Sequence, residues 1–412
     1  MKYGLIGAKL GHSFSREIHA RIADYEYELC ELTPQGVDAL LKERAFNAIN
    51  VTIPYKETVI PYLDSISENA RKIGAVNTIV NREGKLYGYN TDYAGAKALI
   101  NHAGVSVAGK KVLILGTGGT SKTLRTVVSD MGAKEICIVS RHPKENEISY
   151  EAALTRQTDA QVIVNTTPVG MYPNNDAVPI SLEGFADLSG VIDVVYNPLR
   201  TRLVLEAQKR NVPAEGGLYM LSAQAVYASA LFTGADLSEA MIEEAYRAVL
   251  NQKQNIVLIG MPSSGKTTIG KMLAKKMHRE YLDTDAMIVQ ESGMEIPKIF
   301  EMYGEAGFRE IESRAVQTAS QKSGIILATG GGAAMREKNV EMLRQNGKIV
   351  FLDRALQLLT ATADRPLSGN FEALKKRFDE RYPTYCSVCD LRIENDKTPE
   401  AAVQRILNAM GE

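Results

Sequence analysis

The sequence predicts an α/β protein with several domains and mainly parallel sheets. Two glycine-rich turns, at residues 116–121 and 260–267, each follow an apolar run of strand length and lead into a helix-compatible segment. That order of strand, glycine turn and helix is typical of parallel α/β folds that hold a phosphate group at a helix N-terminus. The length of 412 residues is consistent with two to three domains.

Composition narrows the class of protein. The chain is 45% hydrophobic and 24% charged, with a net charge of −1, as expected for ordinary globular domains. A nucleic-acid coat or a membrane-surface protein would need a basic face, so we expect no nucleic acid and no membrane among the partners. No apolar run approaches the roughly 18 residues of a membrane span. The N-terminal segment turns glycine-rich too soon for a signal peptide, and we therefore expect a cytoplasmic protein.

Cysteine usage agrees with that location. Four cysteines are too few for a disulfide scaffold and fit a reducing compartment. Cys386 and Cys389 form a lone C-x-x-C with no second cysteine pair or histidine cluster. A metal or redox site is one interpretation of this pair, and packing on a late helix is the other, which we favour.

The first 100 residues contain short apolar runs that end in small polar side chains. Ser13 and Ser15 precede a helical pattern, where capping of that helix is their usual role. A later strand runs into a proline turn with Lys56 just beyond it, and another ends at Asp92. The segments concerned are residues 1–7, 11–19, 48–56, 74–79 and 88–92.

Together these segments closely resemble the substrate domain of shikimate dehydrogenases, which carries a serine pair, N-V-T-x-P-x-K, A-V-N-T and N-T-D in this order. The resemblance implies that Lys56 and Asp92 flank the carbon being reduced. The carboxylate would hold the ammonium, and the lysine would deliver a proton to the alkoxide as hydride arrives. The family usually has proline and asparagine at two positions where this chain has Arg16 and Ala20. These differences concern the expected geometry of the first loop. The residues implied to bind the carboxylate and hydroxyls of a shikimate ring are Ser13, Ser15, Thr52, Asn77, Asp92 and Gln224.

The turn at residues 116–121 has the context of a dinucleotide-binding site, because a buried-strand run precedes it and a helix follows. Ser121 takes the place of the third glycine and is small enough for close helix–sheet packing. The next strand ends at Ser140 and Arg141, with Lys144 nearby. A free ribose 2′-hydroxyl favours Asp or Glu at that position, whereas Arg suits a 2′-phosphate. NADP(H) is therefore favoured over NAD(H).

Two further strands end in turns that match the family's N-x-T-P-x-G-M and D-x-x-Y-x-P, at residues 160–171 and 191–198. We expect Tyr196 to face the substrate; a core tyrosine with a bonded hydroxyl is the alternative. A long helix opening near Gly217 would, as in the family, bring Gln224 back to the first domain. The resemblance spans residues 1 to about 250 and implies a Rossmann domain. Its expected cofactor contacts are Gly116, Gly118, Gly119, Thr120, Ser121, Ser140, Arg141, Lys144, Met171 and Gly217.

Residues 260–267 have the spacing of a P-loop, Gly-x4-Gly-Lys-Thr, between a strand and a helix. Gly260 and Gly265 allow successive N–H groups to curl around a phosphate. Lys266 can reach the β- and γ-phosphates, and the Thr267 hydroxyl can bind Mg²⁺. A structural loop is the alternative, and the correct flanks on both sides argue against it. The sequence therefore predicts a nucleoside triphosphate site.

The segments after this loop resemble shikimate kinase, a small P-loop kinase, over residues 254–412. The resemblance implies that Thr267 and Asp283 serve Mg²⁺ and that Asp285 orients or deprotonates the acceptor hydroxyl. Arg309 and Arg381 would grip a carboxylate, with Gly331 and Gly332 lining the ring. Arg365, from a lid, would neutralise charge on the transferring phosphoryl group. The expected ATP contacts are Gly260, Ser263, Ser264, Gly265, Lys266, Thr267, Thr268 and Arg365.

Simpler roles remain open for these residues: a surface ion pair for each arginine and a plain turn for the glycines. The sequence also departs from the kinase family in two places. Ser263 replaces the usual second glycine of the loop, which is expected to stiffen it. Residues 358–364 contain no arginine where the family often has one near the adenine.

These expectations define three domains. The substrate-binding domain covers residues 1–98 and is completed by helices of about 216–250. A Rossmann NADP-binding domain covers 99–215, and the P-loop kinase domain covers 254–412. The boundary falls in a short polar link at 251–255 with no Gly/Ser tract.

The joint expectation is a bifunctional enzyme for consecutive steps: NADPH-dependent reduction of 3-dehydroshikimate to shikimate, then MgATP-dependent phosphorylation of shikimate. Three alternatives remain. The first half could act on a relative such as quinate, or it could be a catalytically silent shikimate-binding module. The second half could be a nucleotide kinase. We expect small-molecule substrates as partners, and a homo-oligomer is possible.

Overall fold

A computed structural model describes residues 1–11, 13–359 and 371–411 of the chain. The chain divides into two compact units, Met1–Leu250 and Asn251–Glu412. Each unit is α/β, and two of the three sheets are entirely parallel, which confirms the predicted fold class. The domain boundaries expected near residues 98 and 215 stay predictions.

The first sheet of the first unit has six strands in the order β2-β1-β3-β5-β6-β4. It is mixed: β1 runs parallel to β2 and β3, whereas β5 runs antiparallel to β3 and β6. Its strands are β1 (Tyr3–Gly7), β2 (Tyr27–Glu31), β3 (Ala48–Val51), β4 (Ser65–Ile66), β5 (Thr78–Arg82) and β6 (Lys85–Tyr89). The helices here are α1 (Ser15–Ile22), α2 (Pro34–Glu43) and α3 (Glu68–Ile73), with a 3₁₀ turn at Ile60–Tyr62.

The second sheet has six parallel strands in the order β12-β11-β10-β7-β8-β9. The strand order reverses between β7 and β10, and such a switch point opens a ligand crevice beyond the carboxyl ends of the strands. The strands are β7 (Lys111–Leu115), β8 (Glu135–Val139), β9 (Glu147–Ile148), β10 (Val162–Asn165), β11 (Gly190–Asp193) and β12 (Ala214–Glu215). The helices are α4 (Thr91–His102), α5 (Gly119–Asp130), α6 (Tyr150–Arg156), α7 (Arg202–Lys209), α8 (Leu218–Thr233) and α9 (Glu239–Lys253).

Helices α4 and α8 pack closely in the core of the first unit. Leu99 of α4 and Ala223 of α8 belong to the same buried cluster and have no exposed surface. Gly95 makes the close approach possible, because a Cβ at this position would lie 2.7 Å from the Met220 carbonyl oxygen. The start of α4, which carries Asp92, is therefore held against α8, which carries Gln224.

The second unit has one parallel sheet of five strands in the order β14-β15-β13-β16-β17. The central strand β13 is buried along its whole length, with separate apolar clusters on its two faces. The strands are β13 (Asn255–Ile259), β14 (Tyr281–Asp283), β15 (Ile326–Ala328), β16 (Gly347–Asp353) and β17 (Leu391–Glu394). The helices are α10 (Lys266–Met277), α11 (Thr284–Ser292), α12 (Ile296–Ser320), α13 (Glu337–Asn346), α14 (Phe371–Val388) and α15 (Pro399–Met410).

The short polar link expected at 251–255 lies at the boundary between the two compact units. Helix α9 continues through it to Lys253 and β13 begins at Asn255, because the asparagine, glutamine and lysine before β13 are compatible with a helix. Helix α12 contains a break at Gly304, where φ is 64° and ψ is −177°.

Cys386 lies in α14, and Cys389 just after it, at the edge of an apolar cluster. Burial raises the pKa of the Cys389 thiol, which disfavours the reactive thiolate. In the described residues no group of three or more His, Cys, Asp or Glu side chains could hold a metal ion. A search of the described helices also finds none long and apolar enough to cross a membrane.

Candidate active sites

A lysine and an aspartate from distant parts of the chain meet in the first unit. Lys56 lies in the turn after β3, and Asp92 is the second residue of α4. The Lys56 Nζ atom donates to Asp92 Oδ2 over 2.6 Å. Both side chains are mostly covered, with 17% and 13% of their surfaces exposed, so the pair is partly shielded yet reachable. This arrangement can hold an ammonium in place and present its protons to a ligand oxygen.

Buried polar side chains form hydrogen bonds with the N-terminal residue of α4, next to the Lys56–Asp92 pair. The Thr91 backbone N–H donates to Asn77 Oδ1 at 2.7 Å, and Asn77 Nδ2 donates to Thr91 Oγ1 at 3.0 Å. Gln224 of α8 accepts from Thr91 Oγ1 at 3.5 Å. The Lys56 carbonyl accepts from the Val76 backbone N–H at 2.8 Å, which ties the Lys56 turn to the same network. Asn77, Asp92, Lys56 and Gln224 are thus brought together.

The serine pair lies at the start of α1. Ser13 Oγ donates to Ser15 Oγ over 3.1 Å and accepts from the Ser15 backbone N–H at 3.2 Å. The N-cap residue, Phe14, makes no side-chain cap bond. Thr52 follows β3, and its backbone N–H donates to the Ile6 carbonyl at 2.9 Å, beside the end of β1. The serine pair and Thr52 therefore lie at the carboxyl ends of two adjacent parallel strands or just beyond them.

Tyr196 packs edge-on against Phe14, with ring centroids 5.2 Å apart. Burial raises the pKa of its hydroxyl, so Tyr196 stays a neutral hydrogen-bonding group. The turn that carries it is organised by Asp193, a residue that sequence reasoning missed. Asp193 is fully buried and accepts from Asn165 Nδ2 at 2.9 Å, from the Val195 backbone N–H at 3.0 Å and from Thr201 Oγ1 at 2.7 Å. Burial raises its pKa to about 7, and these donors act in the opposite direction.

The glycine turn after β7 has open space at Gly118 and Gly119 but is tightly packed at Gly116. Gly116 has a φ of 106°, and a Cβ there would lie 2.9 Å from Thr166 Oγ1. Ser121 Oγ donates to the Gly116 carbonyl at 2.7 Å and is buried, as expected for the substitute of a packing glycine. Gly118 and Gly119, which begin α5, have open space where a side chain would be. Backbone N–H groups at this helix start can therefore be approached by a phosphate.

The other expected cofactor residues lie around this turn. Arg141 and Lys144 are exposed in the segment after β8, and Ser140 Oγ accepts from the His142 backbone N–H at 3.2 Å. Met171 is 45% exposed. Gly217 precedes α8, where a Cβ would lie only 2.1 Å from the Val194 carbonyl oxygen. Thr120 lies in the first turn of α5.

An ion pair that was not predicted links the substrate half of the first unit to the cofactor half. Lys122 of α5 contacts Glu57, the residue after Lys56, over 2.6 Å. Both side chains are about half exposed, which keeps the expected energy of the pair small.

The P-loop of the second unit has three residues with positive φ: 144° at Gly260, 64° at Ser263 and 93° at Gly265. Ser263 thus adopts a left-handed conformation that a glycine would take without a steric penalty. The Lys266 ammonium donates to the carbonyls of Gly260 and Met261, both at 2.9 Å. The loop and its lysine therefore already curve around a common centre.

Oxygen donors collect at the end of β14. Asp283 Oδ2 accepts from Thr267 Oγ1 at 3.2 Å and from the Tyr281 hydroxyl at 2.9 Å. Asp283 Oδ1 accepts from the Asp285 backbone N–H at 3.0 Å and so caps α11. A hydroxyl and a carboxylate in contact, both near the phosphate loop, are the ligand types that Mg²⁺ prefers.

Arg309 is fixed by two carboxylates of its own helix. Its Nη1 donates to Glu312 Oε2 at 2.8 Å and its Nη2 to Glu305 Oε1 at 3.0 Å. Burial disfavours the charged guanidinium, but the charges of Glu312 and Glu305 outweigh it, and the pKa of Arg309 is raised. Glu312 is 1% exposed and was not singled out from the sequence, although its spacing of three residues from Arg309 on one helix is the signal that could have found it.

The glycines after β15 let charged side chains approach the backbone. A Cβ on Gly332 would lie 2.1 Å from Arg309 Nη1, and one on Gly331 would lie 3.3 Å from Arg381 Nη1. A Cβ on Gly330 would lie 2.5 Å from Asp285 Oδ1. The predicted acceptor-site residues of the kinase half are therefore brought together around this turn. Tyr385 supports it by donating to the Gly331 carbonyl, and burial raises the pKa of Tyr385 to about 12.

The remaining residues expected to contact ATP differ from one another in exposure. Thr268 is an exposed residue in the first turn of α10. Ser264 is buried, and its Oγ has no hydrogen-bond partner among the residues that the structure describes. Its carbonyl accepts from Asn395 Nδ2 at 2.6 Å, a loop contact that the sequence did not suggest. Arg365 lies outside the described residues.

Comparison with known proteins supports the family resemblance of both halves of the chain. The family model for the shikimate dehydrogenase substrate binding domain matches residues 5–79, and the model for shikimate kinase matches residues 262–411. The curated shikimate dehydrogenase (NADP(+)) of Clostridium beijerinckii is 36% identical over 265 residues, which cover 61% of this chain and 98% of that protein.

Two solved structures resemble the first half. A chorismate mutase/shikimate 5-dehydrogenase fusion protein from Clostridium acetobutylicum is 34% identical with a TM-score of 0.56, covering 60% of this chain and 96% of that one. Shikimate 5-dehydrogenase from Thermus thermophilus, in complex with NADP(H) and shikimate, is 30% identical with a TM-score of 0.54, covering 60% and 99%. The resemblance inferred from the sequence motifs is confirmed for both halves. The chain belongs to the shikimate dehydrogenase family, and it carries a shikimate kinase domain in residues 262–411.

Proposed function

We propose that this chain catalyses two consecutive reactions, NADPH-dependent reduction of 3-dehydroshikimate to shikimate and MgATP-dependent phosphorylation of shikimate at the 3-hydroxyl. The observation that carries the proposal is that one chain contains both a Lys56–Asp92 pair at 2.6 Å and a P-loop facing an arginine-lined glycine turn. The hydroxyl produced by the first reaction is the group that accepts phosphate in the second.

In the first unit, Lys56 acts as the proton donor. Its ammonium, held by Asp92, gives a proton to the substrate oxygen as the bound nicotinamide supplies hydride to the adjacent carbon. Ser13, Ser15, Thr52, Asn77, Tyr196 and Gln224 supply hydrogen bonds that orient the carboxylate and hydroxyls of the ring.

The glycine turn fits NADP(H). Gly118 and Gly119 leave open space at the N-terminus of α5, which suits the pyrophosphate, and Gly116 packs where a side chain could not. Arg141, with Ser140 and Lys144, offers a positive charge to a ribose 2′-phosphate after β8. The name of the Clostridium beijerinckii relative includes NADP(+), which supports the same choice.

In the second unit, Lys266 binds the phosphate oxygens of ATP after exchanging its present carbonyl partners. Thr267 and Asp283 would hold Mg²⁺, which neutralises phosphate charge when bound. Asp285 orients the acceptor hydroxyl, and Arg309 and Arg381 bind the acceptor carboxylate. Arg365 would add positive charge at the transferring phosphoryl group, and it lies outside the described residues.

The Clostridium acetobutylicum fusion protein shows that a shikimate dehydrogenase can share a chain with a second enzyme. Fusion helps the intermediate to reach the second site only when capture there is fast relative to escape into solution. Channelling therefore does not follow from the fusion, and we propose that the two sites act independently.

Two alternative functions can be tested by experiments on the same two sites. A nucleotide kinase would have little use for paired carboxylate-binding arginines beside the acceptor site, and nucleoside monophosphates offered as acceptors test this directly. A silent or quinate-selective first half is tested by comparing NADPH oxidation with 3-dehydroshikimate against NADP⁺ reduction with shikimate and with quinate.

The decisive experiment uses purified full-length protein with 3-dehydroshikimate, NADPH and MgATP. NADPH loss and shikimate 3-phosphate formation are followed together, and NADPH oxidation is expected to persist when ATP is omitted. Phosphate transfer from added shikimate with no NADPH oxidation would instead make the first unit a binding module.

A further inference from the structure

Helix α14 carries a second arginine on the face that bears Arg381. Arg377 precedes Arg381 by four residues, one helical turn, so the two side chains are neighbours on the helix surface. Arg381 is 9% exposed and lies against the Gly331 turn of the acceptor site. Arg377 is half-buried on the same side.

Arg377 differs from Arg309 in its partners. Arg309 is compensated by Glu305 and Glu312, whereas no carboxylate among residues 1–11, 13–359 and 371–411 forms an ion pair with Arg377. Burial, together with the positive charge of Arg381, lowers the pKa of Arg377. Glu305 and Glu380 act on this pKa in the opposite direction, and Arg309 acts in the same direction as Arg381.

On the α14 side of the Gly331 turn, the positive charge of Arg377 therefore has no ion-paired carboxylate among the described residues. A half-buried guanidinium without an anionic partner is costly, and a bound anion would remove that cost. The Cβ atoms of residues four apart on a helix are about 5–6 Å from each other. Two planar guanidiniums at that spacing can donate to one carboxylate from the same side.

We propose that Arg377 is a further substrate-binding residue of the kinase site and that, with Arg381, it contacts the carboxylate of the acceptor. This inference rests on the proposed kinase function and adds a residue to the acceptor site. Arg377 takes no part in the phosphoryl transfer itself, so its removal affects acceptor binding and leaves the chemical step intact.

The test measures ADP release by full-length protein, without nicotinamide, for the parent and for Arg377→Gln. One charge-assisted hydrogen bond at a partly exposed site corresponds to roughly tenfold in affinity, so KM for shikimate should rise about tenfold. The kcat and KM for ATP should stay unchanged, and the melting temperature should not fall, because the variant removes a half-buried charge that has no ion pair among the described residues. Lys376→Gln removes a neighbouring exposed charge from the same helix and should leave every parameter as in the parent.

A second arm replaces shikimate by its uncharged methyl ester. The parent should prefer the acid, and Arg377→Gln should reduce that preference by about the same tenfold, with Arg377→Lys intermediate. An unchanged KM for shikimate, or equal losses with acid and ester, would overturn the role in carboxylate binding. A fall in kcat with unchanged KM would point to contact with the phosphoryl group instead. Failure of the proposed function is distinct, because the parent would then release no ADP with shikimate.

Discussion

In the proposed mechanism, Lys56 in the first unit and Lys266 in the second both present an ammonium to a substrate oxygen, but their partners in the structure differ. Lys56 donates to a carboxylate at 2.6 Å, whereas Lys266 donates to two carbonyls of its own loop at 2.9 Å each. A carboxylate carries a full negative charge and attracts an ammonium more strongly than a carbonyl dipole does. We therefore expect Lys56 to keep its partner and Lys266 to exchange these carbonyls for phosphate oxygens.

The residues that surround the two lysines also differ. The Lys56–Asp92 pair rests on a buried network of amide and hydroxyl groups that is complete among the described residues. The kinase site includes a half-buried arginine without an ionic partner in the described chain and a serine in a left-handed conformation. The polar groups of the first site are thus already bonded to one another, whereas the second has one arginine, Arg377, with no ion pair among the described residues.

The largest expected effect separates the two lysines. Lys56→Met should lower kcat for reduction by about 10²–10⁴-fold, the usual contribution of a positioned general acid. Phosphorylation of added shikimate should be unchanged. The measurement compares NADPH oxidation and ADP release in the same preparation.

The control for this change is Lys42→Met, which removes an exposed lysine paired with Asp38 in the same unit. Equal loss of both activities in Lys56→Met, with Lys42→Met normal, would contradict the independence of the two sites.

The converse change is Lys266→Met in the P-loop. Removing one preorganised cation from a phosphoryl transfer site should lower kcat by about 10²–10³-fold. NADPH oxidation should keep its parental rate. Lys275→Met, at an exposed position of the same helix, is the matched control and should behave like the parent. Full kinase activity in Lys266→Met would show that the curved loop does not bind ATP.

A buried histidine makes the stability of the first unit depend on pH. His19 is fully buried, and burial lowers its pKa from 6.5 to about 3. The folded state therefore binds fewer protons than the unfolded chain below pH 6.5, so stability is complete above that pH and is lost as pH falls. Each pKa unit is worth about 1.4 kcal/mol, which gives a loss of about 2 kcal/mol between roughly pH 7 and pH 5.

Asp193 acts in the opposite sense, because its raised pKa lets the folded state keep a proton that the unfolded chain releases between about pH 4 and pH 7. The measurement is therefore a difference: urea unfolding of the first unit at about pH 7 and pH 5, for the parent and for His19→Gln. The parent should lose about 2 kcal/mol more than the variant. Identical pH slopes would mean that His19 is not buried in its neutral form.

The smallest effect concerns the P-loop serine. Ser263 has a φ of 64°, and a left-handed residue with a Cβ costs roughly 1–2 kcal/mol, part of which glycine loses again through backbone entropy. Ser263→Gly should therefore be more stable than Ser263→Ala by about 1 kcal/mol. Thermal unfolding of both variants checks this, since the alanine also lacks the hydroxyl but keeps the Cβ. Equal stability would argue against steric cost at this position.

Local patterns were sufficient for the strands, the glycine turns and the fold class. The turn at Gly116 and the loop from Gly260 to Gly265 could be predicted because positive φ values and strand–helix junctions depend on neighbouring residues. The short polar link expected at 251–255 lies at the boundary between the two compact units, and it contains the last turn of α9, which a polar run alone does not reveal.

Long-range partners could not be predicted from residue patterns alone. Gln224 meets Thr91 across 133 positions, and Asp193 accepts from Asn165 across 28 positions. Arg377 has no recognisable motif, and its significance depends on the ionic partners that the described fold does not give it. Such features depend on tertiary packing, for which a single sequence contains no direct signal.

The absence of a side chain at Gly95 has a mechanical consequence. A Cβ there would lie 2.7 Å from the Met220 carbonyl oxygen, so α4 and α8 meet backbone to backbone at that point. Any residue with a Cβ at position 95 would have to push the two helices apart. Because Asp92 lies on α4 and Gln224 on α8, that displacement would also separate these two side chains.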